Sequence, residues 1–173
     1  VGLPLAVEFA EKFQVVGFDV SNERIQELEN GHDKTLEIED ELLQLVKSSI
    51  VYTGNIQDTN DCNIYIITVP TPIDSTNRPN LTHLIESSRF VGSVLSQDDI
   101  VIYESTVYPG VTEDVCVPEL EKSSGMKFNK DFFCGYSPER INPGDKNHTV
   151  TKILKVTSGS TLKIAKKVDD LYK

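Results

Sequence analysis

The stretch Tyr136-Ser-Pro-Glu-Arg-Ile-Asn-Pro-Gly-Asp145 concentrates the chain's reactive side chains. Glu139 follows a proline and an apolar run that reads as a strand, so its carboxylate is held in place. A carboxyl so placed in an apolar crevice can serve as a general base. Arg140 beside it could hold a phosphate or pin the loop. The plain alternative is a surface Glu–Arg pair, which adds little stability. A second group, Tyr103-Glu-Ser-Thr-Val-Tyr-Pro-Gly110, also follows a strand. There the Thr106 hydroxyl could bond a cofactor amide or a water, or satisfy helix donors as a cap does; the two roles are compatible. Thr68-Val-Pro-Thr-Pro72 closes a third strand. Its prolines stiffen the loop and fix its backbone groups, whether it meets a ligand or is an ordinary turn.

The chain opens on Val1-Gly-Leu-Pro-Leu-Ala-Val-Glu-Phe-Ala10, which reads as the tail of a dinucleotide-binding turn running into its helix. Gly2 would be the fingerprint's third glycine, the one that lets helix and strand pack closely. Asp19 follows at a strand end, where an acid holds the adenosine ribose hydroxyls. A carboxylate there repels a 2'-phosphate and so favours NAD over NADP. The competing role for Asp19 is a turn or helix cap. Arg24, one turn into the next helix, could reach the same ribose or be a solvated surface cation. His32, His83 and His148 show no metal-ligand spacing, so no metal site is expected.

The elements that must position these groups alternate. Apolar periodicity predicts helices over 3–13, 21–30, 38–48, 80–95, 111–124 (bent near Pro118) and 162–172. Strands are expected over 14–19, 62–67, 100–103, 132–136 and 153–157. Near-continuous apolar strands alternating with helices mean a parallel sheet covered on both faces, the α/β doubly wound Rossmann-like architecture. Such sheets bind ligands at the carboxyl ends of their strands, where all four groups fall. A dinucleotide fold opens with a strand before the glycine turn, and none precedes residue 3. The chain also stops in a helix. It is therefore expected to be truncated at both ends, with 1–173 one NAD-binding Rossmann domain of a longer enzyme.

Bulk properties narrow the partners. The chain has 173 residues, 38% hydrophobic and 25% charged, with a net charge of -10. That suits a globular domain large enough to bury its own core. It argues against nucleic acid and against an anionic membrane surface, both of which need clustered cations. No apolar run is long enough to span a bilayer. Cys62, Cys116 and Cys134 form no Cys-x-x-Cys pair and read as small packing residues in a reducing cytoplasm. Two glycosylation sequons, at Asn80 and Asn147, are of a kind that arises often by chance.

These motifs, in this order and spacing, resemble the N-terminal NAD-binding domain of the UDP-glucose/GDP-mannose dehydrogenase family. The likeness covers essentially the whole chain. It implies NAD-dependent oxidation of the C6 hydroxyl of a UDP-sugar to the uronic acid, for capsule or surface polysaccharide. In that chemistry a cysteine captures the aldehyde and the thioester is then hydrolysed. By the resemblance, Glu139 activates water in the last step and Thr106 lies near the nicotinamide. Gly2, Asp19, Arg24, Val69, Pro70, Thr71, Ser105 and Thr106 then bind NAD, and Glu139, Arg140 and Asn142 meet the substrate. In the UDP-glucose enzymes a second glutamate stands four positions after the first. Here Pro143 stands there, so the wording fits the N-acetylhexosamine branch: UDP-N-acetylglucosamine or UDP-N-acetylgalactosamine. The family's nucleophilic cysteine, central dimer helix and UDP-binding domain are expected beyond residue 173, with a homodimer in the longer protein. This stretch alone would then be inactive. The competing readings are a UDP-glucose 6-dehydrogenase and a non-catalytic NAD-binding module. A two-electron hydroxyacid-type dehydrogenase has no need of the Glu139 loop.

Overall fold

The computed structural model describes residues 2–73, 75, 78–138 and 155–173. They fall into two compact units. The first comprises the described residues up to Asp61, and the second those from Cys62 onward.

The first unit begins with α1 (Gly2–Ala10), whose Leu5, Val7 and Ala10 are buried. β1 (Val15–Phe18) follows, then α2 (Asn22–Glu29) and the short α3 (Asp40–Leu45). Ser21 caps α2: its side chain accepts the Arg24 N–H, which satisfies one of the donors every helix start leaves over. β2 (Ile50–Thr53) then pairs parallel with β1, Val15 against Ile50 through Phe18 against Thr53. Periodicity does not predict β2. Its four residues are buried, exposed, half-buried and buried in turn, and Ile50-Val51-Tyr52-Thr53 is too short to show a period. Leu28, Leu43, Val46 and Ile50 close the core over Val7 and Ala10. Burying each such aliphatic side chain contributes about 1.5–3 kcal/mol.

The second unit is a four-stranded sheet in the order β3-β4-β5-β6. β3 (Ile64–Ile67), β4 (Ile100–Tyr103) and β5 (Phe133–Tyr136) run parallel. β3 leads to β4 through α4 (Thr82–Gly92), and β4 leads to β5 through α5 (Val117–Ser124). All four residues of β4 are buried, as a central strand covered on both faces requires. Ile100 and Ile102 meet Ile164 and Val168 of α6 (Leu162–Leu171) on one face. On the other, the Tyr103 hydroxyl bonds Ser88 of α4 at 2.7 Å. Gly92 lets α4 and α5 approach closely: a Cβ there would stand 2.7 Å from Ser123 Cβ and 3.1 Å from the Leu120 carbonyl oxygen.

Two expectations change here. The break in the 111–124 helix lies upstream of Pro118, in a widened turn over Thr112–Cys116 where the Val117 N–H bonds back to the Thr112 carbonyl. Pro118 then sits in the first turn of α5, where its missing N–H costs nothing. The last strand is β6 (Ser158–Gly159), antiparallel to β5. Lys155, Val156 and Thr157 of the expected 153–157 strand carry no strand structure, and 153–154 lie outside the described residues. An antiparallel edge on a parallel sheet is a common variation. Among the described residues no helix is long and apolar enough to cross a membrane.

Candidate functional site

In the first unit the site residues gather where β1 ends. The ladder runs one residue past the strand, the Asp19 N–H bonding the Thr53 carbonyl at 3.1 Å. Asp19 is exposed, and its Oδ1 accepts the Ser21 N–H at 2.8 Å. The turn role is therefore realised with one oxygen. A carboxylate has about four acceptor positions, so the same group can still take ribose hydroxyls. Gly2 is the first residue of α1.

Arg24 is not a solvated surface cation. Its Nη1 lies 2.8 Å from Asp33 Oδ1 and 2.5 Å from Glu27 Oε1, and its side chain is largely covered. Asp33 is completely buried. Besides Arg24, its Oδ1 accepts the Thr35 N–H (3.0 Å) and the Thr35 hydroxyl (2.6 Å). Its Oδ2 accepts the Glu37 and Ile38 N–H groups at 2.9 and 3.0 Å. Burial alone would raise the Asp33 carboxyl, but hydrogen bonds from Thr35, Ile38 and Arg24 outweigh it and hold the group at about 2. Burial likewise opposes the Arg24 charge, and Asp33 and then Glu27 overcome it, keeping the guanidinium more firmly protonated than usual. Sequence reading did not single out Asp33. The available signal was an Asp two residues before a Thr in a loop, the pattern of a side chain that closes its own turn.

In the second unit two of the motif loops are tied together. The Ser105 hydroxyl donates to the Val69 carbonyl at 2.6 Å, and the Thr71 hydroxyl donates to the Thr106 carbonyl at 2.7 Å. The loops after β3 and β4 thus form one rigid lip at the carboxyl edge, with Pro70 exposed within it. Ser105 is buried, whereas Thr106 is exposed. Gly110 ends the β4 loop with φ +94°, a conformation open to glycine and strained for other residues. Beside this loop an open cavity of about 330 Å³ is lined by Tyr108, Glu113, Phe128 and Tyr136, among others.

Beneath the lip lies a buried ion pair. Lys155 Nζ is 2.6 Å from Glu104 Oε2, with side-chain exposures of 9% and 0%. Glu104 Oε1 and the Ser137 hydroxyl are buried with no hydrogen-bond partner among the described residues. They are neighbours across the sheet: the Ser137 N–H bonds the Tyr103 carbonyl at 3.0 Å. Cys116 and Cys134 are buried, and burial pushes both thiols up, which suits packing and not nucleophilic attack. Glu139, Arg140, Asn142 and His148 lie outside the described residues.

Parallel strands linked by helices, with the sheet of the second unit covered on both faces, are the architecture of a Rossmann-type domain. The chain belongs to the UDP-glucose/GDP-mannose dehydrogenase family, whose NAD-binding-domain model matches residues 1–173. It is 60% identical over all 173 residues to a UDP-N-acetyl-D-glucosamine 6-dehydrogenase of Pseudomonas aeruginosa. To the Salmonella typhi protein of the same name it is 58% identical over 172 residues. The chain spans 41% and 40% of those two relatives' length. Among solved structures, a UDP-D-ManNAc dehydrogenase of Pyrococcus horikoshii superposes with a TM-score of 0.92 at 32% identity, over 99% of this chain and 42% of that one. The fold is therefore Rossmann-like and the cofactor is NAD. The Asp19 carboxylate, an exposed acceptor at a strand end, suits the ribose diol of that cofactor.

Proposed function

We propose that the protein carrying this chain oxidises the C6 hydroxyl of a UDP-N-acetylhexosamine, UDP-N-acetylglucosamine or UDP-N-acetylgalactosamine, to the uronic acid for surface polysaccharide synthesis. The observation that carries the reading is the 60% identity, along the whole chain, to a UDP-N-acetyl-D-glucosamine 6-dehydrogenase. Bound NAD supplies the electron acceptor; two equivalents and one water convert the alcohol to the carboxylate.

This chain's residues bind, orient and handle protons. Asp19 accepts hydrogen bonds from the adenosine ribose, beside Arg24 and the close-packed helix start at Gly2. Val69, Pro70, Thr71 and Ser105 line the cofactor through a lip that their own hydrogen bonds hold rigid. Thr106 presents its hydroxyl to the nicotinamide amide or to the attacking water. Glu139 takes the proton of that water, and Arg140 and Asn142 hold the substrate. The UDP-sugar as partner, a homodimer and a cytoplasmic setting belong to the same reading.

The test is the NADH yield of the full-length protein with UDP-N-acetylglucosamine, UDP-N-acetylgalactosamine and UDP-glucose, for wild type and Glu139→Gln. Two NADH per N-acetyl sugar, with the variant slowed after the first, is the expected result. A single NADH with an aldehyde product, or preference for UDP-glucose, overturns the proposed reaction or its substrate. NAD binding without turnover of any UDP-sugar favours a non-catalytic module.

A further inference from the structure

In the proposed reaction Thr106 and Glu139 act on one water, the first with its hydroxyl and the second as the proton acceptor. Groups that share a reacting atom must be held to within about 0.5 Å of the productive geometry. Thr106 is exposed on its lip, and Glu139 follows Ser137 by two residues. The residues at the root of the lip show what can fix one against the other.

Glu104 stands there. It directly precedes Ser105 and Thr106, and its Oε2 receives Lys155 Nζ at 2.6 Å from 51 positions away. Lys155 shortly precedes β6, whose Ser158 and Gly159 pair with Tyr136 and Gly135. Its ammonium also lies 5.4 Å over the ring of Tyr172, just past the end of α6, within cation–π range. On the side leading to Glu139, Ser137 is completely buried, and its N–H bonds the Tyr103 carbonyl at 3.0 Å. Ser137 thereby continues the β4–β5 pairing to the level of Glu104. One carboxylate thus stands between the residues that precede and follow the Glu139 segment, at the root of the lip that carries Thr106.

Stability alone explains this pair poorly. A buried ion pair often contributes no more than well-packed apolar side chains in its place. Glu104 Oε1 and the Ser137 hydroxyl are moreover buried with no hydrogen-bond partner among the described residues, a cost that an anchor built for stability avoids. What a charged pair adds is a single geometry, because an ammonium that left the carboxylate would strand both charges away from water.

We propose that Glu104 and Lys155 are positioning residues for the water-consuming step, their ion pair holding the Glu139 segment in register with the Thr106 lip. Both act through their neighbours and not by touching the sugar or the dinucleotide. The inference rests on the proposed roles of Thr106 and Glu139 and deepens them.

The experiment follows NADH formation by the full-length protein with a UDP-N-acetyl sugar and NAD, by stopped flow and then in the steady state. It compares wild type, Lys155→Met, Lys155→Arg and Glu104→Leu/Lys155→Met. In Lys155→Met and in the double variant the first NADH is expected at close to the wild-type rate, with KM for NAD unchanged. Steady turnover is expected to be about 10²-fold slower, the loss that a displacement of about 1 Å can cause. Lys155→Arg keeps a cation on Glu104 and is expected to retain most of the turnover. The double variant separates positioning from stability: its apolar pair is expected to melt near wild type without restoring the water-consuming step. Should Lys155→Met fail to fold, the double variant reads the same quantity. A folded double variant that turns over like wild type overturns the proposal, as does a loss that slows the first NADH and the steady rate equally. A wild type that forms no NADH with any UDP-sugar, or stops at one NADH per sugar, overturns instead the reading beneath it.

Discussion

Among the described residues, Asp33 in the first unit and Asp99 and Glu104 in the second are buried carboxylates, and Asp33 and Glu104 are treated in opposite ways. Asp33 in the first unit has both oxygens filled by loop N–H groups, a hydroxyl and Arg24. Glu104 in the second meets Lys155 with one oxygen, and its other oxygen has no hydrogen-bond partner among the described residues. A buried charge is tolerable when its lone pairs are taken up, and costly when they are not. Asp33 therefore reads as a fully satisfied structural anchor. Glu104, at the carboxyl edge of the sheet, keeps acceptor capacity in hand next to the Ser105–Thr106 lip.

The largest effect that would sharpen this contrast is the loss of the anchor. Asp33→Ala is expected to cost about 3–5 kcal/mol, because it leaves Arg24 with Glu27 alone and frees the 35–38 loop; urea unfolding measures it. The pH dependence has a definite sign. The folded-state carboxyl lies at about 2 against an ordinary 3.8. Its contribution, about 2 kcal/mol, is full above pH ~4 and is lost as pH falls toward ~2. The stability gap between wild type and Asp33→Asn should narrow over that window; a gap that is flat from neutral pH down to pH 2 would deny Asp33 its role as a charged anchor.

Next comes Lys155→Met, expected to cost about 3 kcal/mol by leaving Glu104 unpaired. The double variant Glu104→Leu/Lys155→Met should recover to within about 1 kcal/mol of wild type. Thermal melts of wild type, Lys155→Met, Glu104→Leu and the double variant decide it, and an additive cycle would mean that the pair is not coupled. Ser105→Ala removes one hydroxyl from the lip and should cost about 1 kcal/mol; amide hydrogen exchange at Val69 and Thr71 should rise with it. The smallest effect is Asp170→Asn, which breaks an exposed pair with Lys166 and should change stability by less than about 0.5 kcal/mol. A larger loss there would break the ordering by burial.

Much of the architecture was legible along the chain. Ile64–Ile67, Ile100–Tyr103 and Phe133–Tyr136 stand out as largely apolar runs, the central Ile100–Tyr103 being buried at every residue. β2 was missed because a half-exposed strand of four residues has too little pattern to separate from a turn. β6 was displaced because Ser158 and Gly159 hold their place by bonds to β5 rather than by hydrophobicity. For the helix over Asn22–Glu29, Ser21 announced its own cap, a contact three residues long.

Within the candidate site the same division holds. The residue types and spacing of Asp19, the Thr68–Pro72 loop and the Glu104–Gly110 loop followed from strand ends, proline and glycine, all of which act through neighbours in sequence. The occupation of the Arg24 guanidinium, the tie between Ser105 and Val69, and the pairing of Glu104 with Lys155 did not. Those partners lie 9, 36 and 51 positions apart, and no local rule couples them. Sequence alone determined which groups stand at the carboxyl edges, because local conformational preference and hydrophobic period set where strands end. Tertiary structure decided which of those groups are already spoken for, because ion pairs and hydrogen bonds depend on distance in space and on exclusion of water.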